Sequence, residues 1–192
     1  MIDFEFKTDS EPKAGSILIS EPFLSDNYFS RSVIYLCEHN DDGSFGFVLN
    51  KYIDTDLKTL VPEFDIPDIL ISIGGPVDNK NLFYIHTFGE EVEGAIPINN
   101  DVFVGGDFES IKNKVQVDTK ELEKIRFFIG YSGWSPGQLA DEIKEHSWIV
   151  INDVPVEYIF NTSNKSLWKS IMEKLGGKFK VMSTFPVNPS DN

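Results

Sequence analysis

The sequence has one cysteine, two arginines and three histidines in 192 residues. A single thiol, Cys37, excludes an internal disulfide. With only three scattered histidines beside it there is no zinc-ligand spacing, so no metal site is expected. No apolar run approaches the roughly 20 residues that a membrane helix needs. The start, Met1-Ile2-Asp3-Phe4-Glu5-Phe6-Lys7, has neither the basic nor the apolar region of a secretory signal. These absences point to the cytoplasm and to no membrane association. Positive charge is also short: 31 acids face 17 bases, giving a formal charge of −14. Such a balance repels nucleic acid at long range. Guanine reading favours arginine, and the chain offers only Arg31 and Arg126, so direct nucleic-acid binding is not expected. Lys165, Lys169, Lys174, Lys178 and Lys180 form a local positive cluster, but they alternate with Leu167, Ile171 and Leu175 and read as a solvated face. Neither a Walker loop nor a dinucleotide glycine fingerprint is present, and no cofactor is expected.

Apolar residues make up 41% of the chain and include sixteen phenylalanines, enough for one sizeable core. The expectation is a single domain over residues 1–192, with a loose arm over 1–14 and a tail over 186–192. Ile2, Phe4 and Phe6 alternate and could add an edge strand. Short β-branched or aromatic runs predict strands over Ile17–Ile19, Val33–Cys37, Phe45–Leu49, Ile69–Ile73, Leu82–Ile85, Val102–Val104, Arg126–Ile129 and Trp148–Ile151. Asn40-Asp41-Asp42-Gly43 predicts a hairpin turn. Ser135-Pro136-Gly137-Gln138 predicts a helix start, with Ser135 as cap, Pro136 as first residue and Gln138 completing a capping box. Leu167, Ile171 and Leu175 stripe a second helix that starts near Lys165 and stops at Gly176. A weaker helix covers Asp54–Leu60. Strands mixed with few helices, without regular alternation, give an α+β class.

Three segments could carry chemistry. On an unbroken strand, Cys37 and His39 would share a face about 6.6 Å apart. There they could form a thiolate–imidazolium nucleophile, the alternative being a buried inert thiol and a strand-end histidine. Arg31, Ser32 and Asn50 lie near them in sequence as candidate ligand-binding residues, with solvated strand-edge positions as the plain alternative. Gly74-Gly75-Pro76 and His86 read as a tight turn and a structural histidine. Last, Arg126 to Leu139 runs a strand into a glycine-rich stretch bearing Tyr131 and Trp134 and then into the helix of Gln138. Those aromatics could wall a flat ligand, or plug the core. Orphan amides at the helix start could hold an anion, although Asp141 and Glu142 weaken that idea.

Taken together, Arg31-Ser32-Val33, Tyr35-Leu36-Cys37, His39, Val48-Leu49-Asn50, Gly74-Gly75-Pro76-Val77 and Gly130 to Leu139 resemble the AlgH/YqgE family of bacterial proteins. Trp168, Leu175-Gly176-Gly177 and Asn188-Pro189-Ser190 extend the resemblance over nearly the whole chain. It implies an α+β fold, a small closed β-barrel or bifurcated sheet surrounded by helices. It carries a transcriptional-regulator label but no agreed catalytic mechanism. Tyr52, Ser132, Ser135 and Asn188 depart from the pattern, the middle two near the expected pocket. The first expectation is a regulatory or ligand-binding protein with a pocket near Arg31, His39, Tyr131 and Trp134 and a small-molecule or protein partner. The rivals are an enzyme using Cys37 and His39, and a DNA-binding regulator.

Overall fold

β-branched and aromatic residues suit a pleated, half-buried surface, and their short runs become the strands of this molecule. The structure is a computed structural model. It describes residues 6–186 apart from residues 25, 27, 63, 65–68 and 165. Within these the strands are β1 (Ile17–Ser20), β2 (Val33–Asn40), β3 (Gly43–Val48), β4 (Ile71–Ile73), β5 (Val77–His86), β6 (Ile96–Pro97), β7 (Phe103–Val104), β8 (Ile125–Trp134) and β9 (Trp148–Ile151). The helices are α1 (Leu57–Leu60), α2 (Phe108–Val117), α3 (Gln138–Lys144), α4 (Val156–Phe160), α5 (Leu167–Leu175) and α6 (Gly177–Met182). The class is α+β.

The strand order is β6-β7-β5-β8-β3-β2-β1-β9, with β4 added parallel to β8. β8 is where the sheet divides. Ile125 to Ile129 and Tyr131 pair with β5, and Phe127 to Ile129 pair with β4. Ser132 to Trp134 pair with β3 instead. The bifurcated form implied by the resemblance is therefore present, while the closed barrel is not. The strand path runs from β6 to β9, and among the described residues those ends do not pair. Glycines make the division possible. A Cβ on Gly74 would meet the Gly130 carbonyl oxygen, and one on Gly75 would meet the Tyr131 carbonyl. The β4–β5 connection thus lies directly on the β8 backbone, where the Gly74 amide donates to the Ile129 carbonyl at 2.8 Å. Gly130 takes φ +68 there, a conformation in which a side chain is strained.

The buried side chains fall into three clusters, the first drawn from both limbs. α4 and α5 bury Ile159, Leu167, Trp168 and Ile171 with Ile19, Tyr35 and Phe47. α2 buries Ile111 and Val115 with Phe64, Ile71 and Phe127. α3 buries Leu139 with Leu36, Val48, Trp134 and Trp148. Among the described residues no helix is long and apolar enough to cross a membrane.

Several expectations change. β8 continues through Trp134, where a glycine-rich loop was expected after Ile129. α3 starts at Gln138, not after a Ser135 cap. Pro136 and Gly137 instead form a turn closed by the Gln138 amide on the Ser135 carbonyl at 3.0 Å. Gly137 sits at φ 78 and ψ −19, which makes it the third residue of a type II turn. Of the arm, Phe6 and Asp9 are held against the body, while residues 7–11 are largely exposed. Phe6 is buried edge-on to Tyr158, and Asp9 bridges to Val150. Ile2, Phe4, Lys165, residues 187–192 and the Asn188-Pro189-Ser190 match lie outside the described residues.

Candidate functional site

The proposed nucleophile pair is separated by a single extra residue. Leu36 faces Gly46 and Glu38 faces Phe45, so β2 bulges at Cys37. Residues directly opposite across a ladder share a face, which puts Glu38 on the Phe45 side. His39, opposite Ser44, takes the other side. Cys37 stays in the core beside Tyr35, with Sγ 3.8 Å from the Tyr35 carbonyl. The expected shared face of Cys37 and His39 is thereby lost. Burial pushes the Cys37 thiol well above its ordinary pKa, the opposite of what a nucleophilic thiolate needs. His39 Nδ1 instead meets the Ser44 hydroxyl at 2.7 Å.

Alternation along β8 separates the two candidate aromatics in the same way. Trp134 lies opposite Ser44 and Gly133 opposite Phe45, so Trp134 and Tyr131 leave the strand on opposite faces. Trp134 is only 6% exposed. Its indole stacks with Phe29 at 6.4 Å and meets Trp148 nearly at right angles. The Glu142 carboxylate accepts from the Trp134 and Trp148 indoles at 2.8 and 2.7 Å and from the Gln138 amide at 2.9 Å. Gln138 also accepts from the Ser135 amide. α3 is seven residues long, and its first-turn acid is Asp141. The anion site considered there, already weakened by Asp141 and Glu142, is not supported. Trp134, Gln138 and Glu142 form a polar clamp that fastens α3 to the sheet.

Arg31, Ser32 and Asn50 build a different junction. Arg31 adopts φ 52, unusual for a residue with a side chain. Asn50 holds it there, donating to the Arg31 carbonyl and accepting from the Val33 amide, both at 2.8 Å. The Arg31 guanidinium lies 5.0 Å over the Trp168 ring and donates to the Phe185 carbonyl. Ser32 is fully buried, and its hydroxyl donates to the Tyr28 carbonyl. The other arginine, Arg126, is 1% exposed. It donates to the Leu49 and Ile159 carbonyls, to the Ser72 hydroxyl and to the Tyr52 hydroxyl. Burial lowers its pKa. His86 is buried with Nε2 3.0 Å from the Gly105 carbonyl, while Nδ1 accepts from the Phe88 amide, as expected of a structural histidine. Ser132, a departure from the family pattern, donates its hydroxyl to the Gly74 carbonyl and points away from Tyr131. Among the described residues, Arg31, His39, Tyr131 and Trp134 therefore do not come together in one pocket.

A groove of about 720 Å³ does form beside Tyr131, with Trp134 at its border and neither Arg31 nor His39 in its lining. Tyr131 meets Phe45 at 6.0 Å and 79°, and Phe83 at 5.6 Å and 78°. Phe47 lies 6.0 Å from Phe45 and 5.9 Å from Phe83, completing an aromatic floor. Trp134 borders the groove while its indole is engaged on the opposite face. Phe45 and Phe47 come from one limb of the sheet and Phe83 from the other. Glu38 and Asp42, both on the β2–β3 hairpin, supply its acidic side. A sequence reading could find Tyr131, which stands out in its glycine-rich segment. It had no signal for Phe45 or Phe83, both of which pack against the core phenylalanine Phe47.

An AlgH-like family model matches residues 17–180. The chain belongs to the AlgH-like family. A UPF0301 protein of Bacteroides fragilis is 44% identical over 94% of this chain and 92% of its own length. One from Cytophaga hutchinsonii is 41% identical over 93% and 98%. Two solved structures share the fold. Protein DIP2367 of Corynebacterium diphtheriae superposes with a TM-score of 0.77 at 24% identity, covering 93% of this chain and 95% of that one. The AlgH protein of Pseudomonas aeruginosa gives 0.70 at 23%, covering 94% and 98%. Membership of the AlgH-like family fixes the fold and assigns no reaction.

Proposed function

We propose that this protein binds a small apolar ligand in the Tyr131 groove, and that any regulatory role runs through that ligand or a protein partner and not through direct contact with DNA. The observation that carries this reading is the groove itself. Its volume of about 720 Å³ suits a small molecule, and its walls are half-buried rings rather than a sealed core. Two further facts support the negative half. Arg126 is buried, and half-buried Arg31 is engaged over Trp168 and on the Phe185 carbonyl, so both arginines already have partners within the molecule. An enzyme built on Cys37 and His39 finds no support in a buried thiol and a histidine on opposite faces.

The test is titration with Nile red, a neutral dye that brightens in apolar surroundings, against the wild type and Tyr131→Ala. Saturable brightening that Tyr131→Ala abolishes is the expected result. Unsaturable brightening, or full binding by Tyr131→Ala, removes the proposal. In parallel, anisotropy with a labelled duplex is expected to show no sub-micromolar affinity at physiological salt. Affinity that survives such salt would restore the DNA-binding alternative.

A further inference from the structure

We infer that the groove selects an organic cation, a ligand with an apolar body and an ammonium-type head. The inference rests on the groove being a ligand site, as proposed above, and adds the charge of the ligand. Tyr131 stands nearly perpendicular to both Phe45 and Phe83. Rings at right angles meet edge to face, so in each pair the faces of the edge-on ring are left uncovered by its partner. An aromatic face carries the negative part of the ring quadrupole and attracts a cation held against it. The charged residues lining the groove have one sign. Glu38 and Asp42 contribute two carboxylates from the β2–β3 hairpin, and among the described residues neither lysine, arginine nor histidine lines the space. An anionic ligand would meet repulsion from both the acids and the ring faces. A neutral ligand would gain from the rings but leave the acidic end unused. A cation with an apolar body uses both, with its head toward the hairpin and its body over Phe45, Phe83 and Tyr131. The whole-chain charge of −14 acts in the same direction, since it raises the local concentration of cations.

The volume decides between ligand sizes. About 720 Å³ lies within the range of small-molecule pockets, and a groove of that size encloses a substituted ring and its head group with room to spare. The exposed carboxylates act through solvent, so their share of the selectivity falls with salt, while the share from the rings persists.

Three probes of nearly equal shape test this: phenyltrimethylammonium, its neutral isostere tert-butylbenzene, and the anion 4-tert-butylbenzoate. Each is measured by displacement of Nile red. Phenyltrimethylammonium is expected to bind at least about tenfold more tightly than tert-butylbenzene, with the benzoate weakest. The double variant Glu38→Gln with Asp42→Asn should cut the cation's affinity severalfold and leave tert-butylbenzene unchanged. Tyr131→Ala, which takes up no dye, should bind both more weakly when measured by calorimetry. If tert-butylbenzene equals or exceeds the cation, or if removing the two carboxylates changes nothing, the cation inference is overturned while the binding role stands. If Nile red itself fails to bind, the site reading falls and the inference falls with it.

Discussion

Trp134→Ala and Tyr131→Ala differ by three positions on one strand, and the structure predicts that they fail in opposite ways. Trp134 is 6% exposed in a core shared with Leu36, Val48 and Trp148. Truncating a buried tryptophan costs about 3–5 kcal/mol. The loss leaves no orphaned charge, because Glu142 keeps its bonds to the Trp148 indole and the Gln138 amide. For 192 residues, an unfolding entropy of about 2.1 cal/mol/K per residue amounts to roughly 0.4 kcal/mol/K. The expected fall in Tm is therefore roughly 7–12 °C. Tyr131 is half-buried at the groove and touches Phe45 and Phe83 by ring contacts. Its truncation is expected to cost about 1–2 kcal/mol, or roughly 2–5 °C. Melting followed by circular dichroism and Nile red titration at 25 °C read the two properties separately. Trp134→Ala should melt early yet bind dye at ambient temperature, and Tyr131→Ala should melt nearly normally and not bind. A Trp134→Ala protein with an unchanged melt and abolished binding would refute the assignment of the two faces of β8.

Cys37 should react slowly with a thiol-specific disulfide reagent in the native state at neutral pH and rapidly in denaturant, since its thiol is buried and its pKa raised; fast native reaction would show an accessible thiolate. Gly74→Ala places a methyl against the Gly130 carbonyl and should cost about 1–3 kcal/mol or more in a urea melt, whereas a wild-type midpoint would mean that the seam yields freely. His86 has its pKa lowered chiefly by burial, so the unfolded chain binds more protons than the native one between that lowered pKa and the ordinary value of 6.5. Its contribution to stability is complete above 6.5 and is lost as pH falls below it; urea melts across that window should show the slope in the wild type and a shallower one in His86→Gln.

The strands were legible because their runs are dense in isoleucine, valine and phenylalanine, and all eight predicted runs coincide with observed strands. β6 was missed, having only Ile96 and Pro97 to announce it. α2 was missed because only Ile111 and Val115 of its ten residues are buried, too few to mark a stripe. The extension of β8 was hidden by Gly130 and Gly133, which read as a loop until the β4–β5 backbone is seen lying against that strand. The Cys37 bulge was invisible for a different reason. A bulge is a mismatch between two strands, and β2 alone carries no sign of it. The groove failed to appear for the same cause, since its rings come from β3, β5 and β8 and meet only after register is set.

A strand shared by two limbs also dictates when the molecule can be completed. As the chain leaves the ribosome, β1, β2 and β3 can pair at once, but the free edge of β3 has its partner only in Ser132 to Trp134. Everything from Leu49 to Trp134 must be made first. At about 5–20 residues per second that interval lasts roughly 4–17 seconds. During it a phenylalanine-bearing edge, Phe45 and Phe47, stands open to any other nascent chain, and both limbs wait on the same ten residues. Translation that stalls before Ser132 therefore leaves a sticky half-sheet on the ribosome, a natural client for a chaperone that shields unpaired edges.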